Sequence, residues 1–157
     1  MSAASTETSG LPPEPAPWHA AFPAPQSEVS RIERSAILEG LVANDPHMLL
    51  VDVRRTDFEA GTIKGSINMP AQSFWWCREG LYRLCRQAGI TRVIFYCGSS
   101  NGRGPRCAGW FADYIRESGL GEPEPQSLIL EGGIKGWAKA GGDYVENMQA
   151  YEEAYWK

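Results

Sequence analysis

A nucleophile and a fixed cation stand at the two ends of Cys97-Gly-Ser-Ser-Asn-Gly-Arg103, with five residues between them. The apolar run Val93-Ile-Phe-Tyr96 leads into this segment. Gly104-Pro105 leads out of it into a helical period, with proline where a first helical turn tolerates it. Such a loop does three things at once. Gly98 and Gly102 let the backbone fold round with its N–H groups inward, the helix N-terminus adds positive potential, and the Arg103 guanidinium offers two parallel donors. We therefore expect an oxyanion cradle made of Gly98, Ser99, Ser100, Asn101, Gly102 and Arg103, with Cys97 and Arg103 as the catalytic pair. The same positive surroundings favour a thiolate nucleophile. The plainer alternative, that Cys97 ends a buried strand and the glycines merely turn the chain, leaves Arg103 and the helix-opening proline as coincidences.

The remaining cysteines read differently. Cys77, Cys85 and Cys107 fall on apolar helical stripes, where a free thiol behaves as a small hydrophobe. Cys107, one turn into the helix that starts at the loop, keeps the alternative of a resolving thiol for Cys97. The spacings of eight, twelve and ten residues between the four cysteines contain no C-x-x-C pair, and only His19 and His47 could join them. We expect no metal and no bound cofactor, and free thiols in a reducing, cytoplasmic setting. Arg106 is expected to be a solvated first-turn side chain, with added charge at the loop mouth as the alternative. Asp52, Arg54 and Asp57 are given structural roles, the buried acid accepting loop amides or pairing with arginine. Glu131 has the same status, with Gly132 and Gly133 forming the turn before the last core helix.

To hold the loop, the chain needs a sheet. Met48 to Val53, broken only by Asp52, Val93 to Cys97 and Ser127 to Leu130 are short apolar runs separated by helical periods. This pattern predicts buried parallel strands with crossover helices, an α/β fold. The clearest helix carries Cys107, Trp110, Phe111, Tyr114 and Ile115 on one face and stops at Gly119. A weaker one from about Ser73 to Ala88 puts Phe74, Cys77, Leu81, Leu84, Cys85 and Ala88 on a stripe. Ser30 and Glu33 read as a capping box for a helix carrying Ile32, Ala36, Ile37 and Leu41, with Pro46 closing the following turn. Val145, Met148, Tyr151 and Tyr155 suggest a last helix.

The 157 residues are 43% hydrophobic and 22% charged with a net charge of −4, which fits one globular domain plus a tail. Six of the eleven prolines lie between Pro12 and Pro25. We divide the chain into an arm, residues 1–26, a domain, 27–142, and a C-terminal helical extension, 143–157. Trp18, His19 and Phe22 would be oddly apolar in a free linker, so the arm is expected to lie on the domain. No apolar stretch approaches the ~18 residues that span a membrane, and the N-terminus has neither a basic region nor an apolar core. Scattered lysines and arginines give no broad surface for a nucleic acid. Neither a membrane nor a nucleic-acid partner is expected.

Taken in order, Leu49-Leu-Val-Asp-Val-Arg54, Phe58-Glu-Ala-Gly-Thr-Ile63-Lys-Gly-Ser-Ile-Asn-Met-Pro70, the Cys97 loop, and Leu130-Glu-Gly-Gly-Ile-Lys-Gly-Trp137 with Ala140-Gly-Gly resemble the signature blocks of the rhodanese-like domain. The resemblance covers about residues 28 to 142. It implies a single domain with a small parallel sheet flanked by helices and the active loop at the carboxyl end of the central strand. Rhodanese sulfurtransferases usually have a loop one residue shorter. The longer loop, with Arg103-Gly-Pro105, is similar to that of the cell-division-cycle phosphatases and the eukaryotic arsenate reductases. The segment Pro17 to Pro23, together with Gly109-Trp-Phe-Ala-Asp-Tyr114, resembles a fungal arsenate-reductase-like group. Against the phosphatase pattern, no acidic residue follows Cys97, and Val51-Asp-Val53 lacks the second cysteine. Gly61-Thr-Ile63 has no histidine where many relatives carry one.

The resemblance implies an arsenate-reductase-like enzyme in which Cys97 attacks a small oxyanion. An external thiol such as glutathione, with a glutaredoxin as partner, would complete the reduction. The alternatives are sulfur transfer through a Cys97 persulfide, then phosphatase activity, then a non-catalytic module that recognises phosphate.

Overall fold

The computed structural model describes residues 16–157. In chain order these form β1 (Arg31–Ile32), α1 (Arg34–Val42), β2 (Met48–Asp52), β3 (Thr62–Ile63), β4 (Ile67–Asn68) and α2 (Ala71–Phe74). A single 3₁₀ turn, Trp75–Cys77, leads to α3 (Arg78–Ala88), β5 (Arg92–Tyr96), α4 (Arg103–Ser118) and β6 (Gln126–Leu130). The chain closes with α5 (Gly133–Ala140), α6 (Gly142–Glu146), β7 (Met148–Gln149) and α7 (Glu153–Trp156). The expected strands and the α4 helix fall where the apolar patterns put them, and Gly119 ends α4. No described helix is long and apolar enough to cross a membrane.

Strand order β1-β6-β5-β2-β4, all parallel, makes β5 the central strand. Helices cover both faces, so the strands must be apolar on both sides, which is why they read as runs rather than alternations. Val51, Val93, Phe95 and Ile129 pack on one face with Phe74, Leu81, Cys85, Cys107, Trp110 and Phe111. Leu50, Ile94, Tyr96, Leu128 and Leu130 pack on the other with Ile37, Ile134 and Trp137. Cys97 continues the phase of Val93 and Phe95, which delivers its thiol to the face that α4 covers.

Residues 1–15 of the expected arm lie outside the described residues; the rest of it docks on the domain. Trp18 meets Trp110 edge to face at 5.8 Å, and Phe22 lies against Trp75 at 5.4 Å and Trp110 at 5.6 Å. Trp110 Nε1 donates to the Pro23 carbonyl at 2.8 Å. Glycine at 109 is what lets the arm approach, since a Cβ there would lie 2.6 Å from Pro25 Cβ. We therefore expect deletion of residues 1–16 to leave the melting temperature unchanged. Deletion through Phe22 should cost about 2 kcal/mol, because fully burying one such ring is worth ~1.5–3 kcal/mol and both are half-buried. Equal melting temperatures for the two truncations would refute the docking account.

Four local expectations are corrected. Ser30 and Glu33 form no capping box: Ile32 lies in β1, whose backbone pairs with β6, and Glu33 at the N-cap makes no side-chain bond. The helix expected from Ser73 is broken by the 3₁₀ turn, which shifts the phase of the stripe. Tyr82 is consequently buried, while Leu84, Ala88 and Cys77 are exposed. Cys77 is thus not a core hydrophobe. The last helix is instead helix, strand and helix: β7 pairs antiparallel with β3, Ile63 opposite Met148. A two-residue strand beside the main sheet would otherwise leave backbone groups unpaired, and this need overrides a weak helical period.

Candidate active site

The loop of residues 97–102 joins the carboxyl end of the central strand to the N-terminus of the 16-residue helix α4. Cys97 is 3% exposed, and its Sγ accepts the Gly104 N–H at 3.3 Å. The helix therefore points a first-turn donor at the sulfur. Among the described residues, none of the amides of Gly98 through Arg103 donates to another protein group. Unpaired donors gathered beside a helix N-terminus form a ready seat for an anion.

A second helix sets the shape of the loop. The first-turn amides of α5 donate to the loop carbonyls, Ile134 N–H to Cys97 O and Lys135 N–H to Gly98 O, both at 3.0 Å. Gly133 makes this contact feasible. It sits at φ +61°, and a Cβ there would lie 2.6 Å from Cys97 O and 2.5 Å from Gly98 O. The Gly132-Gly133 pair, read from sequence as a turn, is also the point of closest approach between α5 and the loop.

The structure distributes the expected cradle residues unevenly. Cys97, Ser99, Gly102 and Arg103 line a cavity of about 360 Å³ together with Arg106, Trp18 and His19. Arg106 thus takes the loop-mouth position rather than plain solvent. Ser100 is fully buried with a left-handed backbone, φ 58°, and its Oγ accepts the Cys97 N–H at 3.4 Å. Its side chain braces the loop from inside, leaving its amide as the group it could offer an anion. Asn101 is exposed, and Gly98 is buried beneath the Lys135 side chain, whose Nζ would lie 3.9 Å from a Cβ at that position. Cys107 is buried, and burial pushes its thiol well above the usual range.

Asp57 pairs with an arginine as expected, and that arginine is Arg103 of the loop itself. Both Asp57 carboxylate oxygens take hydrogen bonds from Arg103, Nη1 to Oδ1 and Nη2 to Oδ2, each at 2.6 Å. The Arg103 guanidinium beside Asp57 holds its carboxyl down to about 2, below the usual carboxylate range. This pair adds stability above the ordinary carboxylate range and loses it as pH falls toward 2, so near neutral pH Asp57 is an anion and stays one. Any anion that used Arg103 would have to share it with Asp57 or take it from Asp57. Replacing Asp57 with Asn is expected to tighten phosphate binding roughly 2–5-fold, the size of one partly exposed ion pair. The readout is phosphate protection of Cys97 from iodoacetamide, followed by peptide mass spectrometry because Cys77 is also exposed. Weaker protection would mean that Asp57 chiefly positions Arg103.

Behind Asp57 stands a buried pair that keeps its structural role. Asp52 and Arg54 are 0% and 1% exposed and joined at 2.8 Å. Arg54 also donates to the carbonyls of Asp57, Glu59 and Gly61, fixing the turn that presents the Asp57 carboxylate. Glu131 is exposed, its carboxylate meeting Arg31 at 3.4 Å and its backbone N–H donating to Ile32 O at 3.0 Å.

The Rhodanese-like domain family matches residues 36–140 of the chain. Arsenate reductase 2.1 of Oryza sativa subsp. japonica is 31% identical over 125 residues, covering 74% of this chain and 76% of that protein. Arsenical-resistance protein 2 of Saccharomyces cerevisiae is 30% identical over 107 residues, 64% of this chain and 82% of its own length. The solved structure of the As-Sb reductase from Leishmania major is similar at a TM-score of 0.69 and 26% identity, with 77% of this chain and 85% of that chain covered.

Proposed function

The chain belongs to the rhodanese-like domain family, and from that premise we propose that it is a thiol-dependent arsenate reductase with Cys97 as its nucleophile. The observation that carries this reading is the row of free amides from Gly98 to Arg103, bent around a thiol at the start of a long helix. A five-residue spacing gives that row the reach for a tetrahedral oxyanion, where a sulfur atom alone would need less. The similarity to proteins named for arsenate reduction and arsenical resistance supports the same substrate class.

In the proposed reaction the Cys97 thiolate attacks arsenic(V), forming an S–As bond as one As–O bond breaks and water departs. The loop amides and Arg103 hold the remaining oxygens. An external thiol such as glutathione then attacks the Cys97 sulfur. The electron pair of the S–As bond leaves with arsenic, which departs as arsenite, arsenic(III). Cys97 remains as a mixed disulfide, which a second thiol or a glutaredoxin reduces. Buried Cys107, whose thiol keeps its proton, is given no part.

Purified protein assayed side by side for glutathione-dependent arsenate reduction, thiosulfate-to-cyanide sulfur transfer and phosphate-ester hydrolysis tests the proposal. Arsenite formation as the dominant activity is expected. Efficient sulfur transfer, with arsenate giving Cys97 no protection from alkylation at millimolar concentration, would replace it with the sulfurtransferase reading.

A further inference from the structure

We propose that His19, brought to the cavity by the N-terminal arm, gives the proton with which oxygen leaves arsenate as water. The inference rests on the arsenate reductase reading and adds to it a catalytic group from outside the loop. In the first step Cys97 sulfur bonds to arsenic while a hydroxyl on arsenic departs. Hydroxide is a poor leaving group beside an anionic nucleophile, so the step needs an acid within reach.

Among the described residues, the side chains around the cavity leave one candidate. Trp18, Ser99, Cys97, Arg103 and Arg106 are the other side chains lining it. Cys97 is spent as the nucleophile, both guanidiniums keep their protons near neutral pH, and neither the indole nor the hydroxyl is acidic there. Asp57, the carboxylate on Arg103, is held down to about 2 and carries no proton to give. Cys107 and Lys135 do not line the cavity. Imidazole is the side chain that exchanges a proton between pH 5 and 8.

The arm holds His19 firmly. Its turn is closed by Ala20 N–H to Pro17 O at 2.9 Å and Phe22 N–H to His19 O at 3.0 Å. Trp18 on one side and Phe22 on the other pack against Trp110, and the Trp18 ring meets the imidazole edge to face at 5.3 Å. His19 is half-buried, so one side remains open to solvent for reloading the proton. The charged groups sharing its cavity are Arg103 and Arg106 from α4, with Asp57 paired behind Arg103. In the step, imidazolium loses its proton to the departing hydroxyl, water leaves, and arsenic stays pentavalent.

The test compares the full-length parent with His19→Gln in glutathione-dependent arsenite formation from pH 6 to 9, alongside melting temperature and phosphate protection of Cys97. The variant should lose about 10²-fold in kcat at pH 6, within the usual worth of a positioned acid, with KM for arsenate little changed. The parent-to-variant ratio should shrink between pH 6 and pH 9, and added imidazole should restore part of the rate. An active parent matched by the variant in kcat and pH profile overturns the inference alone. So does a lowered melting temperature with a constant ratio across pH, which would mean that His19 only seats the arm. A parent that forms no arsenite removes the inference together with the proposed function.

Discussion

Cys97→Ser should lower arsenite formation to background, a loss of about 10⁵-fold or more if Cys97 is the nucleophile, as for other enzymes stripped of theirs. The fold should persist. Cys97 lies at a strand end where its sulfur accepts the Gly104 amide at 3.3 Å, and a serine oxygen accepts the same bond with a smaller atom. Urea and thermal unfolding of the variant should match the parent closely, so that the loss is chemical rather than structural. Near-normal turnover by Cys97→Ser would end the assignment. Arg103→Lys is expected to be damaging as well, because a point charge cannot grip two oxygens as a planar fork does.

The largest effect on stability should come from Arg54→Met. That change leaves the Asp52 carboxylate buried without its cation, which typically costs about 3–5 kcal/mol. Asp52 would retain Thr62 Oγ1, at 2.9 Å, and the Arg54 backbone N–H, at 3.1 Å, as donors, too little to solvate a full charge. Adding Asp52→Asn to the variant should recover part of the loss, since a neutral amide tolerates burial better than an unpaired charge. Equilibrium urea unfolding measures both. A loss below about 1 kcal/mol for Arg54→Met would contradict the ion-pair account. Activity should fall too, because the turn carrying Asp57 loses three of its anchoring donors.

What could be read from the sequence was local. Cys97, Gly102, Arg103 and Pro105 announce a strand end, a glycine-bearing turn and a helix start within nine residues, and each signal acts over a few bonds. The strands were legible because burial on both faces makes them continuously apolar. Asp57 was not legible as a site residue: its partner lies 46 positions away, and nothing near Asp57 in the chain shows that Arg103 will meet it. The role of His19 was hidden for the same reason, since only docking on Trp110 brings the arm to the loop. The C-terminal strand was missed because Val145, Met148, Tyr151 and Tyr155 imitate one helical face, whereas pairing with β3 makes Met148 extended and leaves Tyr155 in a separate short helix. Cys77 was misplaced by a single 3₁₀ turn, which a stripe drawn at constant pitch cannot anticipate.

The grip of α5 on the Cys97 and Gly98 carbonyls acts as a lever. A trans peptide group is a rigid plate with its oxygen and its N–H on opposite edges. Pinning the two oxygens to Ile134 and Lys135 therefore aims the N–H groups of Gly98 and Ser99 the other way, with no further contact needed. The seat's donors are aimed from behind, by a helix that does not line the cavity. Substitutions along α5 could thus retune how the protein ranks one tetrahedral anion against another while every side chain that meets the ligand stays the same.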